Sequence, residues 1–284
     1  MGTFLICSKR GRASPGNLAP SKSLIASLLL ALCATPLLAQ SPIAWPKGKI
    51  AAVVLTYDDA LNSQLDVAIP QLDAAGFKGT FFLDGDLAPA DMLRWRKAQS
   101  AGHELGNHSL FHPCPRSLLP DRKNYLTENY DVDRMLGEIA AMNNVLFGID
   151  GASGRTYSVP CSQMLVGGGT DYTDALRKSG LAKYARTGGD QYKSVITDFK
   201  RLDVFQVPSW GPVDKPGANQ LIAYATRVRD ARGLGVLQFH GVGGDYLEVS
   251  GQAHQQLVDW LRKHPDIWIA RFDEVMDYVS AHSR

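Results

Sequence analysis

Residues 49–60 read KIAAVVLTYDDA. The unbroken apolar run has the length of a strand rather than a helix and does not alternate with polar residues, so it predicts a strand buried on both faces, as in a parallel sheet. It ends on an acid pair, Asp58 and Asp59. Reactive groups of α/β barrels gather where strands end at their C-terminal edge. An adjacent acid pair can also do no more than cap the next helix or solvate a turn.

Outward from this strand, apolar runs alternate with amphipathic stretches. SQLDVAIPQLDAAG (63–76) predicts a helix stopped by Gly76, KGTFFLDG the next strand, DMLRWRKAQSAG a helix, HELGN a short strand and ENYDVDRMLGEIAAMNNVLFG a long helix. Further strands are predicted at TYSVP, KYART, DVFQVP, GVLQFH and IWIAR, with helices near 171–180, 218–231, 252–263 and 272–282. Such alternation implies an α/β fold whose parallel sheet is sandwiched or ringed by helices, and the strand count suits a barrel or near-barrel.

The 284 residues are 45% hydrophobic and 20% charged, enough for a sizeable core and against disorder. Lys9, Arg10, Arg12 and Lys22, with no acid, precede SLIASLLLALCATPLLAQ, which reads as a secretory signal peptide cleaved near Ala39. At about 15 residues the apolar run is short for a bilayer of roughly 30 Å. Removing residues 1–39 with their four positive charges takes the formal charge from +2 to −2. The mature chain, residues 40–284 as one domain, is thus expected to be periplasmic or secreted, without stable membrane association and without the basic surface that nucleic acid requires. Of four cysteines only Cys114 and Cys161 remain, which suggests one disulfide in an oxidising compartment, or else two buried thiols.

VGGGTDY and GVGGDY lack the spacing of phosphate-binding loops and read as turns. HELGNHSLFHP (103–113) is denser in chemistry. His103 and His108 stand five apart, which splays them by about 140° on a helix and excludes the zinc-protease pattern. His108 and His112 stand four apart, on one side of a helical turn, and with a carboxylate from the acid pair they form a two-His, one-carboxylate set that leaves a coordination position open.

TYDD, HSLFHP, an arginine followed by a proline in RTYSVP and a late strand ending in LQFH resemble, in that order, the motifs of the polysaccharide deacetylase family, also called the NodB-homology domain or carbohydrate esterase family 4. The resemblance spans roughly residues 49–280. It implies a distorted (β/α) barrel of about seven parallel strands that removes N- or O-acetyl groups from a polysaccharide with one divalent metal, usually zinc. It assigns the metal to Asp59, His108 and His112, the general base to Asp58, the leaving-group acid to His240 and a partner of Asp58 to Arg155. The arginine stands further from its proline than in the family pattern. In place of the family's Asp and Trp cluster this chain has DVFQVPSWGP, from which Trp210 is taken as a sugar-stacking residue, while Asp203 stays unassigned. Tyr157, in the TYSVP turn, is taken as a further substrate contact.

On this reading Cys114 and Cys161 lie on loops of the active face, and a bridge between them braces the metal loop against the Arg155 loop. His254 reads as a surface residue at a helix start. Two other readings stand beside the deacetylase: a non-catalytic carbohydrate-binding relative, and an unrelated hydrolase, although no G-x-S-x-G elbow occurs. The sequence does not choose the polysaccharide, ester or amide, or the oligomeric state.

Overall fold

The first strand, β1 (Ala51–Asp58), has every residue buried, and its alternation supplies two different cores. Ala51, Val53, Leu55 and Tyr57 pack outward under the helices. Ala52 and Val54 face the other way, onto Phe82, Val236, Phe272 and Met276. The period of two therefore continues inward through Thr56 to Asp58. These observations come from a computed structural model, which describes residues 43–283. The signal-peptide reading of residues 1–39 lies outside the described residues.

β1 is followed by a π-helical turn (Gln64–Ala68) that runs into α1 (Ile69–Ala75), closed by Gly76 at φ +74°. Then come β2 (Thr80–Leu83), α2 (Pro89–Ser100), β3 (Glu104–Asn107) and α3 (Val132–Asp150), whose first turn is capped by Asp131 accepting from Arg134 N–H. β4 (Thr156–Ser158) leads to a small hairpin, β5 (Leu165–Val166) and β6 (Thr170–Asp171), and to α4 (Thr173–Ser179). The chain continues through β7 (Tyr184–Thr187), β8 (Val195–Ile196), β9 (Val207–Pro208), α5 (Ala218–Asp230) and β10 (Leu234–Phe239). It ends in α6 (Gly251–Arg262), β11 (Ile267–Ile269) and α7 (Phe272–His282).

The main sheet runs β10-β1-β2-β3-β4-β7-β9, all parallel. Trp210, two residues past β9, bridges Leu237 of β10 and closes the ring. The expected distorted barrel of seven parallel strands is the observed one. Two details differ from expectation. β8 pairs antiparallel with β10 at Leu234–Ile196, and β11 shares one edge of β1 with β2, taking Ala51–Val53 while β2 takes Thr56–Asp58. β8 is two residues long, too short for a hydrophobic period to reveal, whereas β11 is the strand expected at IWIAR and only its place on β1 is set by register.

Trp210, taken from the sequence as a sugar-stacking residue, is placed at the closure instead of in the cleft lining: its backbone exchanges hydrogen bonds with Val236 and Gln238, and its half-buried ring lies 5.0 Å from that of Tyr224 against the helix-side core.

Candidate active site

One layer of inward-facing side chains forms the floor of the barrel mouth. It comes from five strands: Asp58 of β1, Ser158 of β4, Arg186 of β7, Ser209 just beyond β9, and Gln238 of β10. Register puts Ser158 beside Arg186. The Asp58 Oδ2 atom accepts from Arg186 at 2.5 Å, Gln238 Nε2 at 2.9 Å and Ser158 Oγ at 3.3 Å. Arg186 also donates to Ser209 Oγ at 2.7 Å and lies over the ring of Phe82. All the donors converge on one oxygen, and Asp58 Oδ1 is left buried without a partner. Buried charges persist only when paired in this way.

Asp59 departs from strand geometry. Its φ of +74° and the +52° of Ala60 turn the carboxylate into the mouth, where continued alternation would have sent it under the helices. Left-handed conformations at non-glycine residues cost of order 1 kcal/mol or more and are stored where function requires them. The loop after β3 repeats the pattern, with Ser109 at +63° and His112 at +48°. HSLFH is thus not a helical turn: Ser109 N–H donates to Asn107 Oδ1 and His112 N–H to Ser109 Oγ, and this folded loop brings the imidazole centroids to 4.6 Å.

Asp59, His108 and His112 offer ligand atoms within 4.8 Å of one another. His108 Nδ1 donates to the Ser158 carbonyl at 2.7 Å, which turns Nε2 towards Asp59 Oδ1, 3.2 Å away. His112 Nε2 lies 3.5 Å from the same oxygen, which makes no hydrogen bond. A buried gap between these groups needs positive charge within it, either a proton on His108 or a cation, and the carbonyl behind His108 is the usual outer partner of a metal-ligating imidazole. The residues fit a divalent metal. Burial would raise the Asp59 carboxyl, but His108, followed by His112 and His240, holds it far below its usual range. Burial opposes a charge on His108, yet Asp58 and Asp59 raise it to about 9; burial and His108 lower His112 to about 4.

His240 follows β10 with Nε2 3.7 Å from Asp59 Oδ2, while its buried Nδ1 has no partner. Gln64, carried by the π-helical turn, donates from Nε2 to the carbonyls of both Asp58 and His240 and so ties the ends of β1 and β10 together. π-Turns recur at functional sites for such placements. The groups open into a cleft of about 950 Å³ that also holds Asp84, Asp245 and Tyr246. Burial pushes the Asp84 carboxyl up to about 6. Cys114 and Cys161 are bonded across this rim, bracing the His112 loop against the loop after β4.

Two candidates lie elsewhere. Arg155 does not meet Asp58; it is bidentate to Asp150 at 2.5 and 2.7 Å and donates to the Leu105 and Ala152 carbonyls. Three residues before Ser158, it lies about 10 Å further down the strand. Tyr157 points outward and is fully buried, its hydroxyl 3.2 Å from that of Tyr172, so it cannot touch a substrate in the cleft. Asp203 pairs with Arg177 on the surface. His103, just before β3, bonds Gly79 and Asp73. His254 is wholly buried rather than exposed. Arg186, Gln238 and Gln64 escaped the sequence reading, although an arginine in a predicted buried strand is itself a signal, because such a charge must be paired.

The structure thus sets a two-histidine, one-carboxylate group at the C-terminal mouth of an α/β barrel. Residues 46–181 match the family model described as polysaccharide deacetylase, which places this part of the chain in that family; Asp58, Asp59, His108 and His112 lie inside the match. A gellan lyase from a Bacillus species is 29% identical over 111 residues, spanning 39% of this chain and 4% of that protein. The fold is similar to that of a Mycobacterium smegmatis protein assigned to the polysaccharide deacetylases (TM-score 0.61, 19% identity, 85% of this chain and 94% of that one). It is also similar to that of a CE4 family pseudoenzyme from Bacillus anthracis (TM-score 0.52, 15% identity, 80% and 66%).

Proposed function

We infer that this protein is an exported deacetylase that uses one divalent cation, zinc, to remove N- or O-acetyl groups from an acetylated polysaccharide or oligosaccharide. One observation carries the reading: the partnerless Asp59 Oδ1 faces the ring nitrogens of His108 and His112 beside an Asp58 whose other oxygen is fully engaged. A binding module needs no such juxtaposition.

Asp59, His108 and His112 would hold the cation. When bound, it polarises the acetyl carbonyl and lowers the pKa of a water beside it from 15.7 towards about 7. Asp58 would take a proton from that water at its free Oδ1, while Arg186, Gln238 and Ser158 hold the other oxygen and prevent rotation of the carboxylate. Arg186 therefore fills the part first assigned to Arg155. His240, on the far side of Asp59, gives a proton to the departing sugar nitrogen or oxygen. The cleft walls position the sugar; its identity and the choice between amide and ester lie in contacts with the glycan.

The fold alone does not secure activity, as its pseudoenzyme relative illustrates. The test is acetate release from acetylated xylan, chitin oligomers and peptidoglycan by protein stripped with chelator and then restored with zinc. Release is expected to need zinc and to fall by about 10²–10⁴-fold in Asp58→Asn. Zinc bound with no release from any of the three would favour the non-catalytic relative.

A further inference from the structure

The loop after β10 spends backbone strain to display one residue that the mechanism above leaves without a task. Residues 241–250 fold back on themselves: Gly241 N–H donates to the Tyr246 carbonyl at 3.1 Å, Val249 N–H to Gly241 at 2.9 Å and Gly243 N–H to Val249 at 2.8 Å. The Asp245 carboxylate accepts from Ser63 N–H at 2.8 Å, latching the loop to the start of the π-helical turn. A Cβ on Gly241 would lie 2.0 Å from the Gly244 carbonyl oxygen, so the fold-back requires glycine there. Asp245 and Leu247 are left-handed, at φ +61° and +46°, and a branched leucine adopts that conformation only where its surroundings enforce it. Tyr246 sits between them, held on both sides.

Its ring forms part of the cleft wall, 6.3 Å from that of His240, and its hydroxyl donates to Asp59 Oδ2 at 2.7 Å. The Asp59 carboxylate is thereby divided. Oδ2 is engaged by Tyr246, and Oδ1 alone is turned to His108 and His112. A carboxylate with both oxygens free can swing about its Cβ–Cγ bond and attach to a cation through one oxygen or two; a hydrogen bond to one oxygen removes that freedom.

We propose that Tyr246 is a positioning residue of the cation site, its hydroxyl fixing Asp59 for attachment through Oδ1 alone and so setting the affinity and geometry of the bound cation. The inference rests on the reading of Asp59 as a cation ligand. It differs from a role for Tyr246 as a sugar-facing wall, because a wall needs the ring and not the hydroxyl.

Tyr246→Phe separates the two. Chelator-stripped protein is titrated calorimetrically with zinc, and with cobalt(II) while its visible absorption is recorded. Tyr246→Phe is expected to bind zinc about 10–100-fold more weakly than the wild type and to show an altered cobalt spectrum, with an unchanged far-ultraviolet circular dichroism spectrum. Tyr246→Leu is expected to lose no more zinc affinity than Tyr246→Phe. Zinc affinity and cobalt spectrum like the wild type's in Tyr246→Phe would overturn the proposal, as would a loss confined to Tyr246→Leu. A wild-type protein that binds neither cation would overturn the metal reading itself, and this inference with it, a result distinct from two proteins that bind alike.

Discussion

Arg186 and Arg155 are both buried and both paired with a carboxylate, and only the one the motif did not mark reaches the cleft. Arg186 meets Asp58 because β7 lies beside β4 and both turn the same face inward; Arg155 stands before β4 begins, where it faces Asp150. Their lysine variants should therefore differ in kind. An ammonium cannot reach Asp58 and Ser209 together as the planar guanidinium does. Losing one charge-assisted hydrogen bond of roughly 1.5–3 kcal/mol should lower kcat of Arg186→Lys by about 10–100-fold. Arg155→Lys should lose stability through its Asp150 contact while the folded fraction keeps the wild-type kcat. Steady-state kinetics paired with urea unfolding on both variants checks this. A kcat loss in Arg155→Lys at full foldedness would restore the original assignment.

At the scale of elements, β1 and the order of strands and helices were legible because each rests on local chemistry, an apolar run and a repeating alternation; His108 and His112 were paired on a helical spacing, whereas a left-handed loop brings them together. What stayed hidden is what register decides. The neighbour of Asp58 is set by which strand follows which around the ring, and the inward or outward sense of Tyr157 by a shift of one residue. Trp210 illustrates the same limit, since an aromatic where the family carries its Asp and Trp cluster suits a sugar platform until the closure with Leu237 is seen. Trp210→Ala should then act on stability, by about 3 kcal/mol in urea unfolding as for other packed tryptophans, with KM for glycan unchanged in the folded protein. A raised KM at wild-type stability would return Trp210 to the substrate. The bridge between Cys114 and Cys161 spans 47 residues and should contribute up to about 4 kcal/mol on the chain-entropy argument. Reduction should lower the unfolding midpoint, and alkylation before reduction should find no free thiol in this pair.

Over the whole molecule, two buried groups outside the cleft pull stability in opposite directions with pH. His254 lies between Tyr57 and Gln71: its Nδ1–H donates to Gln71 Oε1 at 2.6 Å and its Nε2 accepts from the Tyr57 hydroxyl at 2.7 Å. This pairing uses both nitrogens of the neutral ring, and burial holds the group down to about 3. An unfolded histidine titrates near 6.5, so below that pH the unfolded chain takes up a proton that the native one refuses. The stability His254 contributes is complete above pH 6.5 and is lost as pH falls towards 3. Glu104 behaves inversely. Burial and the charge of Asp273 raise it to about 7, so its contribution is complete below the unfolded value near 4.3 and is lost as pH rises through 7. Urea midpoints across pH 3.5–8.5, taken in chelator, should separate the two limbs. His254→Gln, whose amide can donate to Gln71 and accept from Tyr57, should flatten the acid limb and leave the alkaline one. Glu104→Gln should do the reverse. An acid limb as steep in His254→Gln as in the wild type would mean that the carboxylates around the cleft, rather than this neutral ring behind β1, govern acid unfolding.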